Sequence, residues 1–355
     1  MFYSRLSLAF VVSLSLFTNT HAFSSDGEGG FPDFITSWRT FQYWQEIRDQ
    51  SPVFDVPSSE GVLKGQWANK AKKLNWNCYN LQVTDEISST DVIVAKAILT
   101  TTNDQGEEQT ETVVSKRSYG ERKAIIYGAN LQKGLSHDNI LPINHVIDAS
   151  QTDGREGAPV RVYGFAIMPY VEAGSLESNY GNYADQGAIN GAFKQMLSAV
   201  SAVSAAGIIH RDLKPENFLV DGDTLKLMDF DQARKIDTTA QTDVGTPSYV
   251  APEIVTVKDY TTKADTFSMG ISFLVMSEPD LRNSDNRFQL WKDLIEPEQG
   301  YFQPTSGRVE QILKDRNYGV FNGNDGLLKV IAKALCAADE RYTPAEFETA
   351  FAGAV

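Results

Sequence analysis

Asp212, Lys214, Asn217 and Asp229 fall within eighteen residues of one another. The first three stand in the run His210-Arg211-Asp212-Leu213-Lys214-Pro215-Glu216-Asn217, and Met228 precedes Asp229-Phe230-Asp231. Such a set suits phosphoryl transfer. One carboxylate orients an attacking hydroxyl and accepts its proton, and a lysine neutralises charge on the moving group. An amide with a second carboxylate offers hard oxygen ligands to a divalent cation held against phosphates.

These residues need a scaffold on both sides. Upstream, Phe193 to Ala206 places Phe193, Met196, Leu197, Val200 and Val203 on one helical face, and Gly207-Ile208-Ile209 leads from it into the run. Further back, strand signals fall on Cys78 to Val83, Val92 to Thr101 and Thr110 to Ser115, the last ending at Lys116. Asn103-Asp104-Gln105-Gly106 reads as a turn. A helical stretch at 120–135 follows, then strands at Ile140 to Ile147 and Val160 to Met168. After Tyr170 the pattern is mainly helical. The fold class expected is α+β. It has two lobes with a cleft between them: a five-stranded antiparallel sheet with one helix, then a helical lobe.

With these pieces in order, the sequence resembles the eukaryotic protein kinases of the Ser/Thr type, over roughly residues 75–350. Gly245-Thr246-Pro247-Ser248-Tyr249-Val250-Ala251-Pro252-Glu253 is similar to the end of that family's activation segment. Asp265-Thr266-Phe267-Ser268-Met269-Gly270 is similar to the start of its central helix. The resemblance implies ATP and Mg²⁺ as cofactors and a protein as substrate. It implies Asp212 as catalytic base, Lys214 at the γ-phosphate, and Asn217 and Asp229 as metal ligands. Met168 would guard the back of an adenine pocket, with the backbone of Pro169 and Val171 bonding the adenine edge. Arg341 would pair with Glu253. Thr246 matches a position that helps set Ser/Thr over Tyr specificity. Thr238, Thr239 and Thr242 are candidate phosphosites for pairing with Arg211.

Four features depart from the family pattern. No glycine lies between 66 and 100, where Ile87-Ser88-Ser89-Thr90-Asp91-Val92 stands in place of the glycine-rich loop. Glycine allows close approach of backbone to phosphate, so a weaker phosphate grip is expected. The nucleotide lysine has two candidates. Lys116 gives five strands with the helix after the third, while Lys96 in Val92-Ile93-Val94-Ala95-Lys96 leaves an extra strand. Glu121 is the one acid of the candidate helix and is the expected ion-pair partner. Asp231 replaces the glycine of Asp-Phe-Gly. The lost glycines and Asp231 support an alternative reading, a pseudokinase acting as a binding or scaffold module.

Residues 1–22 read as a secretory signal peptide: Arg5, an apolar run from Leu6 to Phe17, and Thr20-His21-Ala22 before a cleavage site. Residues 23–70 read as an N-terminal extension, in which Phe34, Trp38, Phe41, Trp44 and Ile47 share a helical face. The lobes are expected at 71–168 and 169–355. The signal peptide implies secretion, and secreted pathogen kinases with this arrangement suggest a host protein as a candidate target. The net charge of −14 disfavours nucleic acid as a partner and favours basic protein substrates. No later stretch is long and apolar enough for a membrane span. Two cysteines cannot build a disulfide framework, and Cys336, in an apolar helical run, is expected as a buried free thiol.

Overall fold

A computed structural model of the chain describes residues 62–89, 91–152, 154, 157, 159–236, 245–256, 260–295 and 304–355. The signal peptide, the extension helix and the three threonines at 238, 239 and 242 lie outside the described residues.

Among the described residues the strands of the N-terminal lobe start at Leu63, upstream of the boundary expected at 71. Its strands are β1 (Leu63–Ala68), β2 (Lys73–Trp76), β3 (Tyr79–Ser89), β4 (Ile93–Thr102), β5 (Glu108–Ser118), β6 (His145–Gln151) and β7 (Val162–Pro169). The five strands expected from residue 78 onward are present, and β1 and β2 extend the sheet to seven. The seven close into a barrel in the order β1-β2-β3-β4-β5-β7-β6. Closure comes from a parallel pairing of β1 with β6, Leu63 opposite Ile147, so the sheet is not wholly antiparallel. Closing the barrel removes the exposed edges that an open five-stranded sheet would leave. The expected strand at 140–147 also shifts. Ile140 instead makes a single bridge to Leu227 of the other lobe, and the strand starts at His145.

Period-two alternation fills the barrel. Trp67, Leu74, Leu81, Ala95, Ala97, Leu99, Val113, Ile147, Phe165 and Ile167 point inward and are buried. On β5 the same alternation sends Val113, Ser115 and Arg117 into the barrel and turns Val114 and Lys116 the other way. Helix α1 (Arg122–Lys133) packs on that outer face through Ile125, Ile126 and Ala129 against Val146, Ala166 and Met168.

The second lobe is helical around one core. Helix α2 (Gln186–Ala205) starts at an Asp185 cap that accepts from the Ala188 N–H, and it buries the stripe Phe193, Met196, Leu197, Val200 and Val203. It ends before Gly207, whose φ of 69° suits the left-handed turn that follows. Short pairs then place the chemistry: β8 (Ile208–Ile209) with β11 (Arg234–Lys235), and β9 (Phe218–Asp221) with β10 (Thr224–Leu227). Helices α3 (Pro252–Thr256), α4 (Lys263–Ser277), α5 (Ser284–Ile295), α6 (Ser306–Asp315), α7 (Asp325–Ala334) and α8 (Pro344–Ala354) complete it. Helix α4 is apolar on most sides and buried from Ala264 to Met276, as a central helix must be. Phe193 of α2 meets Phe273 of α4 at 5.0 Å and Phe351 of α8 at 4.8 Å between ring centroids. Among the described residues no helix is long and apolar enough to cross a membrane. Cys78 is exposed, Cys336 is buried, and both are free thiols.

Candidate active site

The segment from His210 to Asn217 leaves β8 and is held from below by α4. The buried carboxylate of Asp265 accepts from the backbone N–H of His210 at 2.7 Å and of Arg211 at 2.9 Å. Two N–H donors converge on one carboxylate because Arg211 takes φ of 69°. Burial pushes the Asp265 carboxyl above its usual range, and the His210 and Arg211 groups oppose that. The His210 ring packs edge-on against Phe230 at 4.7 Å, and its Nε2 lies 3.1 Å from the Met228 carbonyl. The two sequence motifs are thereby fastened to each other.

Asp212 sits in a fixed network. Thr246 Oγ1 donates to Asp212 Oδ1 at 2.7 Å, and Lys214 Nζ donates to Thr246 Oγ1 at 2.7 Å. Lys214 Nζ also lies 3.4 Å from Asp212 Oδ2. Burial acts to lower the Lys214 pKa, but Asp212, Glu216 and Asp229 outweigh it and keep the ammonium charged. Asn217 Nδ2 donates to the Asp212 carbonyl at 2.7 Å and to its Oδ2 at 3.2 Å. Asn217 occupies the end of a single turn, Pro215–Asn217, and its carbonyl accepts from the Met228 N–H at 2.9 Å.

Lys116 reaches the same cleft from the other lobe. Its Nζ lies 2.7 Å from Asp229 Oδ1 and 2.7 Å from Asp231 Oδ2. Asp229 has φ of 64°, and its carboxylate also accepts from the Asp231 N–H. Burial acts to raise the Asp229 carboxyl, but the Lys116 ammonium overrides it and holds it down at about 2. Burial pushes Asp231 up to about 6; Lys116 opposes that, and the neighbouring Asp229 and Glu121 charges add to it. For Lys116 the two carboxylates outweigh burial and raise its pKa.

Between the two candidate lysines, the structure brings Lys116 to Asp229. Lys96 instead lies over the Tyr170 ring, 4.3 Å from its centroid. Glu121 is not the acid that Lys116 meets. It stands at the N-cap position of α1 without a side-chain cap bond, its backbone N–H on Ser118 Oγ at 2.9 Å. Helix α1 itself, RKAIIYGANLQK, contains no acid, so the helix carries no carboxylate to the lysine. The sequence treated Asp231 only as a departure from a pattern and missed it as the partner.

Met168 is buried, and Val171 is half-buried against the same apolar cluster. Val92 and Val114 from the sheet and Leu219 and Met228 from the other lobe pack against that cluster as well. Pro169 ends β7 opposite Val113. Leu219 and Met228 carried no signal of their own and are found only through the pairing of β9 with β10.

Where the glycine loop was missing, the β3–β4 hairpin carries register shifts at Val83/Asp85 and Glu86/Ser88. Glu86 accepts from the buried Arg117 at 3.1 Å and pairs with Lys72 at 3.2 Å, so the hairpin is tied to the barrel. Lys72, then Arg117, holds the Glu86 carboxyl below its usual range.

Further from the cleft, the expected pairing of Arg341 with Glu253 is present, at 2.5 Å and 3.2 Å, with both side chains buried. Gly245 backs onto the Arg211 carbonyl, where a Cβ would sit 2.6 Å away. Arg211 donates to the Gln232 carbonyl at 2.6 Å and to the Tyr260 hydroxyl at 2.7 Å. Burial and the nearby Arg211 charge push Arg234 down to about 10.

The donor set fits a hard divalent cation. The Asn217 amide nitrogen is spent on Asp212, which leaves its Oδ1 as a ligand oxygen, and the Asp229 carboxylate is 38% exposed to the cleft. An amide oxygen with a carboxylate is magnesium-type chemistry.

A family model described as a protein kinase domain matches residues 89–346. A probable myosin light chain kinase of Dictyostelium discoideum is 28% identical over 228 residues, 61% of this chain and 55% of that protein. The maternal embryonic leucine zipper kinase of Xenopus laevis is 33% identical over 201 residues, 54% of this chain and 29% of that protein. The serine/threonine-protein kinase STE20 of Debaryomyces hansenii is 32% identical over 162 residues, 44% of this chain and 14% of that protein. The chain thus spans about half or less of the length of these curated relatives.

Proposed function

Because this chain belongs to the protein kinase domain family, we propose that it transfers the γ-phosphoryl group of ATP to serine or threonine hydroxyls of proteins. The observation that carries this reading is the network joining Asp212, Thr246 and Lys214, with Asn217 on the same carboxylate. Asp212 accepts the proton of the substrate hydroxyl as that oxygen attacks. Lys214 supplies positive charge where the phosphoryl group moves. Lys116 contacts the nucleotide phosphates, and Met168, Val171, Val92, Val114, Leu219 and Met228 form the apolar walls for adenine. Asn217 and Asp229 would hold Mg²⁺, which supplies neutralising charge on the phosphates when bound. Little covalent work falls to the protein in such a reaction, so fixed positioning and charge are what the site must provide.

The reading extends to compartment and partner. The signal peptide favours a secreted protein. The net charge of −14 favours basic protein substrates. Incubating the purified chain with Mg·ATP and a basic protein tests the activity. Nucleotide binding without phosphate incorporation would favour a scaffold module in its place.

A further inference from the structure

We propose that Asp231 is the positioning residue for Lys116, holding its ammonium at the nucleotide phosphates in place of a helix acid. The inference rests on the proposed nucleotide site.

Three observations carry it. Lys116 is 8% exposed, and a buried ammonium requires a fixed counter-charge. The charges it meets are Asp229 and Asp231, each at 2.7 Å. The side-chain exposures of the two differ: 38% for Asp229 and 19% for Asp231. Asp229 is thus the more open of the two carboxylates and Asp231 the more enclosed one beside the lysine.

The place of Asp231 is built into the packing. It belongs to the single turn Phe230–Gln232, and α1 presses directly on that turn. A Cβ on Gly128 would fall 2.3 Å from the Phe230 carbonyl oxygen and 3.0 Å from the Asp231 nitrogen. Only a glycine allows the helix backbone this close. The helix contributes a flat surface and no acid, and the carboxylate comes from the turn it presses on. If Asp231 is removed, Asp229 becomes the one carboxylate on Lys116, and a residue proposed to serve the metal is drawn onto the lysine.

A bystander charge and a positioning charge predict opposite signs for nucleotide affinity. An uninvolved carboxylate near phosphates repels them, so its removal tightens binding. A positioning carboxylate weakens binding when lost. The test is calorimetric titration of Mg·ATP into the full chain as wild type, Asp231→Asn, Asp231→Gly and Asp231→Glu. The expected result is affinity about 10-fold or more weaker in the Asn and Gly variants, with most of it recovered by Glu. In parallel, nucleotide-free protein is treated with an acylating, amine-reactive reagent, and modification of Lys116 is read by mass spectrometry. Faster modification in Asp231→Asn than in wild type is expected. Unchanged or tighter ATP binding, or unchanged Lys116 reactivity in a folded variant, overturns the proposal. Phosphate transfer enters neither readout. A wild type that binds no nucleotide would sink the proposed function, while the reactivity of Lys116 still decides the role of Asp231.

Discussion

Thr246 donates its hydroxyl to Asp212 at 2.7 Å while accepting from Lys214 at 2.7 Å. The hydroxyl therefore orients both groups proposed to act on the transferred phosphoryl. Thr246→Ala removes the bridge without touching Asp212 or Lys214. Its kcat is expected to fall by up to about 100-fold, the effect of losing position rather than a reacting group. Thr246→Ser keeps the hydroxyl and is expected to retain most of the rate. Steady-state kinetics of the pair checks this; equal rates in Ala and Ser would contradict it.

The pair Arg341–Glu253 joins α3 to the segment before α8, with Arg341 also donating to the Cys336 carbonyl at 2.8 Å. Both side chains are buried, so removing one strands the other charge. Glu253→Ala is expected to cost about 3–5 kcal/mol, measured by urea unfolding. A cost under about 1 kcal/mol, as for an exposed pair, would show that the charge is solvated.

Asp148 on β6 accepts from Arg122 of α1 at 2.5 Å and from Lys64 of β1 at 2.8 Å, tying the barrel closure to the helix. Burial acts to raise its carboxyl, but Arg122 and Lys64 bring it below the usual range. The folded state thus binds this proton less readily than the unfolded state. The stability it contributes is complete above the free carboxyl pKa of about 3.9 and is lost as pH falls through the lower folded value. Asp148→Asn is expected to lower stability near neutral pH by about 2 kcal/mol and to flatten the acid limb below about pH 4. Urea midpoints across pH check both; a variant with the wild-type acid limb would contradict the assignment.

Gly128→Ala forces a methyl against the Phe230 backbone, which cannot move as a side-chain tip can. A loss of about 1–3 kcal/mol is expected, together with weaker nucleotide binding, because the turn carries Asp229 and Asp231. Thermal unfolding and titration with Mg·ATP read the two effects. A stable variant with unchanged affinity would show that the helix does not set this turn.

Much of this site was legible in the chain itself. The ordered run from His210 to Asn217 and the later Asp229 carried the chemistry. The strand count, five with the helix after the third, favoured Lys116 over Lys96, and Lys116 is the lysine that reaches Asp229. The stripe read from Phe193 to Ala206 gave the C-terminal end of α2, while the helix starts seven residues earlier, at Gln186. What stayed hidden was non-local. Strands β1 and β2 gain their reason only from the parallel pairing with β6, about eighty residues away along the chain. The expectation paired Lys116 with Glu121 from nearness in sequence, which does not set a side chain's direction, whereas Asp229 and Asp231 lie on the lysine. Asp231 reaches the lysine from the other lobe, and Glu121, at the N-cap position of α1, adds its charge beside Asp231. Leu219 and Met228 join the apolar walls only once β9, β10 and the sheet are brought together.

Phosphate transfer by Asp212→Asn is the most direct test of the central claim. The substitution keeps the side-chain size and leaves Lys214, Asn217 and Thr246 in place. Wild-type protein with Mg·ATP and a basic protein substrate is expected to incorporate phosphate on serine and threonine. Asp212→Asn is expected to do so about 10²–10⁴-fold more slowly while still binding nucleotide. Equal rates for the two proteins, or no incorporation by the wild type, would contradict the account.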